Sequence, residues 1–120
     1  MEIRMDSVED RLERGVAFKI EGRYDEATEE LNSLVELFPE HAEAHHQLGL
    51  IYGFVGRFEE SVSELKQCTS IDPQNVLARN DLALTYTMLG MYDEAKSEFA
   101  QVLERDKANN IALRNLTYLP

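Results

Sequence analysis

The chain repeats itself every 34 residues. Gly22, Gly56 and Gly90 are spaced by that interval, and each opens a related hexamer: GRYDEA, GRFEES and GMYDEA. A small residue lies seven positions ahead of each of these glycines, namely Gly15, Gly49 and Ala83. Self-similarity at a fixed period of this length indicates a stack of similar supersecondary units, in which each unit contacts only its neighbours.

Each unit has the pattern of two helices. Apolar residues recur three and four positions apart on both sides of the hexamer, and the glycine supplies the break between the two runs. In the second unit the two apolar stripes are Leu48, Ile51, Tyr52 and Val55, then Phe58, Val62, Leu65 and Cys68. Pro39 and Pro73 end the second helix, and Lys107 holds the third position of this series. The predicted helices are 8–21, 25–37, 42–55, 59–71, 76–89, 93–105 and 110–118, an all-α fold with no room for strands.

The charge balance and the short apolar runs argue against nucleic-acid and membrane partners. The 120 residues include 12 Lys plus Arg and 23 Asp plus Glu, for a formal net charge of −11. This excess repels phosphate backbones and no concentrated basic patch offsets it, so we expect no nucleic-acid partner. No apolar run approaches the roughly 18 residues that a membrane helix needs, so we expect no membrane partner. With one cysteine and a charged start unlike a signal peptide, the expected compartment is the cytoplasm.

The repeated residues resemble the tetratricopeptide repeat, a 34-residue helix-turn-helix unit. We place Gly15, Gly49 and Ala83 at position 8 of the unit. The family's two aromatic positions then hold Phe18, Tyr52 and Tyr86, and Tyr24, Phe58 and Tyr92. Its second small position holds Ala27, Ser61 and Ala95. The family's tryptophan-like position 4 instead holds Arg11, His45, Arg79 and Leu113. The packing between neighbouring units is therefore expected to be individual.

The resemblance implies a right-handed α-solenoid with defined unit boundaries. Three repeats are expected at 8–41, 42–75 and 76–109, after a lead-in at 1–7. Residues 110–120 are expected to form a capping helix or the start of a fourth repeat.

The resemblance also implies a concave face, lined by the first helix of each unit, that holds a peptide or a partner helix. Carried over repeat by repeat, the groove residues implied for this chain are Leu12, Val16, Lys19, Ile20, His46, Gln47, Leu50, Gly53, Phe54, Leu77, Asn80, Asp81, Leu84, Thr87, Met88, Ile111, Arg114 and Tyr118. This surface is mainly apolar. The family fold alone does not establish a ligand.

One ligand class known in the family is disfavoured by the residues present. Relatives that grip the carboxylate tails of heat-shock chaperones use a clamp of lysine, arginine and asparagine on the inner helices. The aligned positions here hold Leu12, Val16, Gln47, Leu77 and Asp81, which include no cation. We therefore expect no docking of an acidic chaperone tail.

Catalysis and metal binding find little support in the residue pattern. His41 and His45 are four residues apart and His46 is adjacent, but zinc sites normally use three or four ligands, and the only cysteine lies at a core-type position of the next helix. There is no phosphate-binding glycine loop and no nucleophile with a base beside it. We expect no enzyme activity, no metal and no cofactor.

Two functions remain open. The leading prediction is a protein-interaction module whose groove binds an apolar or amphipathic segment. The alternative is a self-assembling scaffold, or a fragment of a longer array, whose apolar surfaces contact other copies or repeats. In that case residues 110–119 would self-associate through Leu116, Tyr118 and Leu119, with Ile111 or Leu113 and Leu116 covering the third unit. The second helices hold 12 acidic and 3 basic residues, which is typical of a solvated outer face and also compatible with a docking site for a basic partner.

Overall fold

Seven helices form the fold in the computed structural model, which describes residues 7–120. They are α1 (Val8–Ile20), α2 (Tyr24–Leu37), α3 (Ala42–Phe54), α4 (Phe58–Ile71), α5 (Val76–Met88), α6 (Tyr92–Arg105) and α7 (Asn110–Tyr118). The predicted all-α fold is confirmed, and each predicted helix end lies within one residue of the observed one. No helix within residues 7–120 is long and apolar enough to cross a membrane.

The 34-residue period reappears in the helix starts. Ser7, His41, Asn75 and Asn109 are the N-caps of the odd-numbered helices, and the side chain of each accepts a hydrogen bond from the backbone N–H three residues later. Such caps satisfy one of the free N–H groups at a helix start. His41 thus has a structural role as a cap.

The glycine of each hexamer terminates the first helix of its unit. Gly22, Gly56 and Gly90 have φ angles of 77°, 80° and 74°, in the left-handed region that favours glycine. The backbone N–H after each glycine donates to a carbonyl five residues back, for example Arg23 N to Phe18 O at 2.8 Å. This Schellman geometry ends the helix and reverses the chain, so that the second helix packs against the first.

Within a unit, the small residue at position 8 lets the two helices approach closely. A Cβ atom on Gly15 would lie 2.7 Å from Leu31 Cγ, and one on Gly49 would lie 2.6 Å from Leu65 Cγ. Both distances are shorter than real side-chain contacts, so glycine is required there unless the leucine moves. In the third unit the same two positions hold Ala83 and Phe99, both fully buried.

The units stack into an elongated solenoid of 60 × 26 × 21 Å with two hydrophobic clusters. One cluster joins the first two units, and its buried members are Ala27, Leu31, Leu34, Ala44, Leu48 and Ile51. The other joins the second and third units to α7, through Leu65, Leu82, Ala83, Tyr86, Ala95, Phe99, Val102 and Ala112. Because α1 contacts α3 and α3 contacts α5, the odd-numbered helices share one continuous face.

Position 4 of the unit carries buried polar side chains instead of a large aromatic ring. Arg79 Nη1 donates to Glu98 Oε2 at 2.9 Å, and its Nη2 donates to the carbonyl of Pro73 at 3.0 Å. One unit earlier, the two ring nitrogens of His45 lie 2.7 Å from Glu64 Oε2 and 2.7 Å from the carbonyl of Pro39. Each side chain therefore links its own second helix to the end of the preceding unit.

The last helix packs differently from what the sequence suggested. Ala112, Leu116 and Leu119 share one face of the helix and pack against the third unit, whereas Ile111 and Leu113 remain exposed. Leu116 covers the third unit as expected, but Ile111 and Leu113 do not. Leu119 also packs against the third unit and is partly buried, and its role in self-association stays a prediction. Tyr118 is 80% exposed.

The buried thiol of Cys68 should make stability fall at alkaline pH. Removal from water, with added repulsion from Glu43, Asp72 and Asp81, raises the pKa of Cys68 to about 11 from an ordinary value of 9.0. Between these values the unfolded chain releases the proton while the folded chain keeps it, so the free energy of unfolding decreases as pH rises. Urea midpoints measured at pH 8, 9 and 10 should therefore decline. Burial also raises the pKa of Tyr86, so Cys68→Ala should reduce the decline without abolishing it. An unchanged slope in that variant would contradict the assignment to Cys68.

Candidate functional site

The face formed by the odd-numbered helices carries a ladder of exposed apolar side chains. Ile20, Phe54 and Met88 occur at the same position of successive units and are 78%, 59% and 65% exposed. We call these three residues the groove ladder. Leu77 at the start of α5 and Tyr118 of α7 extend the exposed apolar surface on this side. Repetition at 34-residue intervals places these side chains along one surface of the solenoid.

Between the second and third units this face contains a cleft of about 260 Å³. Its apolar walls come from α3, the start of α4 and α5, and include Leu50, Phe54, Phe58, Leu84 and Met88. Gly49, Gly53, Ser61, Leu65, Asp81 and Thr85 complete the lining. Tyr24 supports the Phe54 ring from the first unit, with the ring centroids 6.0 Å apart.

A chain of polar contacts crosses the same face and ends at the cleft. Lys19 Nζ donates to Gln47 Oε1 at 2.5 Å, and Gln47 Nε2 donates to Glu43 Oε1 at 2.7 Å. His46 then lies between two acids, with Nδ1 3.8 Å from Glu43 Oε2 and Nε2 2.8 Å from Asp81 Oδ2. The chain connects α1, α3 and α5, so it holds the three inner helices in register and sets the charge beside the cleft.

The residues expected to line the groove include exposed, partly buried and buried side chains. Ile20, Phe54, Leu77, Met88, Arg114 and Tyr118 are exposed. Partly buried ones are Leu12, Val16, Lys19, Gln47, Leu50, Asp81, Leu84 and Thr87. Leu84 also packs against the second core cluster, and Leu12 against the first.

His46 and Asn80 are buried, which corrects their expected place on an open groove surface. Asn80 Nδ2 donates to Asn109 Oδ1 at 3.1 Å, so this side chain joins α5 to the cap of α7. His46 lies beneath the groove and positions Asp81 instead of facing a ligand. Both positions fall on the inner-helix pattern, but a following helix covers them.

The sequence reasoning missed several residues of the cleft. Phe58, Ser61, Leu65 and Thr85 line it, although the repeat pattern assigns the first three to helix packing and gives no signal at Thr85. One departure from the repeat does indicate the cleft in the sequence, because Gly53 aligns with Lys19 and Thr87. A glycine where the other units carry longer side chains leaves space in that unit alone.

The histidines, the cysteine and the buried serine are engaged in structure. His41 caps α3, His45 pairs with Glu64, and Ser61 Oγ donates to the carbonyl of Gly49 at 2.7 Å. Cys68 is fully buried. Across residues 7–120, no three His, Cys, Asp or Glu side chains are grouped so that they could hold a metal ion.

Together these features define an α-solenoid of helix-turn-helix units with an apolar inner face. The family model described as "Tetratricopeptide repeat" matches residues 55–117. The chain belongs to the tetratricopeptide repeat family, and the resemblance seen in the sequence is confirmed.

Solved structures share the fold at low sequence identity. The first TPR of Spaghetti (RPAP3) bound to the HSP90 peptide SRMEEVD is 21% identical with a TM-score of 0.87, covering 97% of this chain and 94% of that chain. The second TPR domain of human RPAP3, in complex with the HSP70 peptide SGPTIEEVD, is 23% identical with a TM-score of 0.84, covering 92% and 96%. YrrB, a TPR protein with an unusual peptide-binding site, is 20% identical with a TM-score of 0.85, covering 94% of this chain and 58% of that chain. No curated protein sequence matches the chain.

Proposed function

We propose that this chain is a protein-interaction module that binds an apolar or amphipathic peptide segment on the face of its odd-numbered helices. The observation that carries the proposal is the groove ladder of Ile20, Phe54 and Met88, which exposes large apolar side chains at every unit and borders a formed cleft. Contiguous exposed apolar surface on a soluble fold is typical of an interaction site. The repeats that bind are taken as residues 8–41, 42–75 and 76–109, followed at 110–120 by a capping helix or the start of a fourth repeat.

The similar structures support peptide binding in general, but the peptides that they bind differ in chemistry from the ligand proposed for this chain. Two of them hold peptides ending in EEVD, a strongly acidic sequence. In this chain Asp81 lies beside the cleft, and the positions aligned with the chaperone clamp carry no lysine or arginine. An acidic tail would meet like charge and apolar walls, so the ligand proposed here is not of that kind.

Charging the groove ladder should abolish peptide capture without unfolding the chain. The probes are peptides selected from a phage-displayed random library on the wild-type protein. Phe54→Lys with Met88→Lys should weaken their binding by at least about 30-fold, because about 2 kcal/mol of apolar burial is lost. Both residues are largely exposed, whereas Leu84 is unsuitable for such a variant because its side chain also packs against the second core cluster. Binding is measured by isothermal titration calorimetry.

A matched control adds the same charge on other surfaces. Leu37 and Met91 are exposed apolar residues outside the cleft lining, so Leu37→Lys with Met91→Lys changes charge and apolar area similarly. This control should bind as the wild type does, and both double variants should keep the helical circular dichroism. Equal binding by the groove variant would exclude the groove ladder as the binding surface.

Self-assembly is a second candidate function, favoured by the difference between the two ends of the solenoid. At the first unit Arg14 pairs with Glu30, at the position where Leu48 and Leu82 are buried in later units. At the other end α7 exposes Ile111, Leu113 and Tyr118. A terminal helix with a polar outer face closes a repeat array, whereas the exposed surface of α7 mixes these apolar side chains with Asn110, Arg114 and Thr117.

If α7 mediates self-association, Leu113→Glu with Tyr118→Glu should convert oligomers to monomers. Both side chains are exposed, so the change should not disturb the core that Leu116 and Leu119 contact. Size-exclusion chromatography with light scattering gives the mass of wild type and variant over a range of concentrations. A wild-type chain that stays monomeric at millimolar concentration would rule out this second function.

A further inference from the structure

The cleft between the second and third units arises where the chain departs from its own repeat. At this junction Gly53 and Thr85 form a pair, whereas the corresponding pair is Lys19 and Ile51 between the first and second units, and Thr87 and Leu119 between the third unit and α7. All four of those residues are longer than glycine or more apolar than threonine. The space of about 260 Å³ therefore belongs to one junction and is not a general property of the fold.

The polar groups on the floor of the cleft are already satisfied within the chain. Ser61 Oγ donates to the carbonyl of Gly49 at 2.7 Å, and Thr85 Oγ1 donates to the carbonyl of Asp81 at 2.8 Å. The remaining walls are carbon-rich side chains such as Leu50, Phe54 and Leu84. A ligand group that enters the cleft thus exchanges few hydrogen bonds and gains mainly apolar burial. An aliphatic or aromatic side chain suits it.

The cleft also has one charged side chain in its lining. Asp81 keeps 31% of its side chain exposed, and His46 Nε2 lies at hydrogen-bond distance from Oδ2. A carboxylate has about four acceptor positions, so capacity remains for a donor from outside the chain. Glu43, on the other side of His46, adds a second exposed carboxylate, and Lys19, which donates to the neutral Gln47, contributes one positive charge against these two. The local charge beside an apolar cleft is therefore negative.

From this juxtaposition we infer that the ligand is a basic amphipathic segment, with one large apolar side chain in the cleft and an adjacent lysine or arginine paired with Asp81. The inference rests on the proposed function and specifies its ligand. Charge complementarity supports a basic partner over a second copy of this chain, because the chain itself carries a net charge of −11 and would meet its own repulsion. Binding should consequently weaken as ionic strength rises.

The test again uses a phage-displayed random peptide library, selected on wild-type protein. The enriched peptides should share an apolar residue with a neighbouring lysine or arginine. Replacing that cation by glutamine should weaken binding about tenfold, and Asp81→Asn should do the same while keeping an acceptor for His46. The two changes together should cost little more than either alone, because they remove the same ion pair. Glu104→Gln, an exposed carboxylate of α6, is the matched control and should have no effect.

A second pair of variants tests the cleft without changing charge. A Cβ on Gly53 would lie 3.6 Å from Ser61 Oγ, an ordinary contact, so Gly53→Ala should fold and narrow the cleft. Gly53→Leu should fill it and weaken the selected peptides more than about tenfold, with Gly53→Ala intermediate. Circular dichroism confirms the fold of each variant.

The outcomes separate this inference from the proposed function. Enriched peptides without a cation, or peptides insensitive to Asp81→Asn, would overturn the inference while leaving the groove function intact if Phe54→Lys with Met88→Lys still abolishes binding. Binding insensitive to Gly53→Leu would overturn the placement of the anchor in the cleft. If no peptide is enriched on the wild-type chain, both the inference and the proposed function fail.

Discussion

Glu98→Ala is expected to lower the free energy of unfolding by about 3–5 kcal/mol, because it leaves a buried guanidinium without its counter-charge. The Arg79 side chain is 7% exposed and that of Glu98 17% exposed. Arg79 cannot release its proton, so it must either stay charged in the interior or force the helices apart. Urea denaturation followed by circular dichroism gives the change in stability.

Repeat equivalents supply graded controls for this prediction. Glu30, Glu64 and Glu98 occupy the same position of successive units and pair with Arg14, His45 and Arg79. The pair at Glu64 contains no guanidinium and Arg14 is 38% exposed, so Glu64→Ala and Glu30→Ala should cost less than Glu98→Ala. Glu60→Ala, which removes an exposed partner of Arg57, should cost less than about 1 kcal/mol. Equal losses in all four variants would contradict the role assigned to burial.

The ion pair itself need not contribute net stability. Within residues 7–120, Arg79 Nε is buried without a hydrogen-bond partner, which adds to the cost of burying this side chain. Replacing both partners, as in Arg79→Met with Glu98→Leu, should therefore be close to neutral. A near-neutral double variant would show that the loss of stability in Glu98→Ala comes from the unpaired charge of Arg79.

Phe99→Ala is expected to destabilise the chain by about 3–5 kcal/mol, since it removes the largest fully buried side chain of residues 7–120. Phe99 belongs to the cluster that joins the second and third units to α7, so the cavity would affect both of these contacts. In a repeat array the loss should be greatest near the site, and hydrogen exchange should accelerate most in α5, α6 and α7.

The same substitution of phenylalanine by alanine on the groove face gives a direct comparison with Phe99→Ala. Phe54 is 59% exposed, so Phe54→Ala should change the free energy of unfolding by no more than about 0.5 kcal/mol. A similar loss for the two alanine variants would mean that Phe54 is part of the core and not of a free binding surface. Denaturant midpoints of both variants, compared where the unfolding free energy depends equally on denaturant concentration, distinguish these two roles of Phe54.

Much of the fold could be predicted because its determinants are local. Gly22, Gly56 and Gly90 end helices through a backbone conformation that favours glycine, and the period of 3.6 residues in the apolar stripes identifies the helices. The close approach at Gly15 and Gly49 also follows from their recurrence at one position of the unit. Each of these features depends on a few neighbouring residues and on their repetition.

The candidate site could be predicted only in part, because exposure at a groove position depends on the neighbouring unit. Ile20, Phe54 and Met88 are exposed as expected, whereas Asn80 follows the same inner-helix pattern and is buried against Asn109. A period identifies the face of a helix, but the helix that follows decides how much of that face stays open. The inner face of α5 is covered near its start by the cap of α7.

The sequence by itself determined the repeat, the helix boundaries and the family, because a 34-residue period, glycine turns and small close-contact positions act within one unit. The tertiary structure alone decided which side chains meet between helices, both within a unit and across units. It pairs Arg79 with Glu98 and His46 with Asp81, 19 and 35 residues apart along the chain. It also opens the cleft that Gly53 of α3 and Thr85 of α5 both line. Such contacts depend on the size and charge of two distant residues at once, and no local pattern encodes that combination.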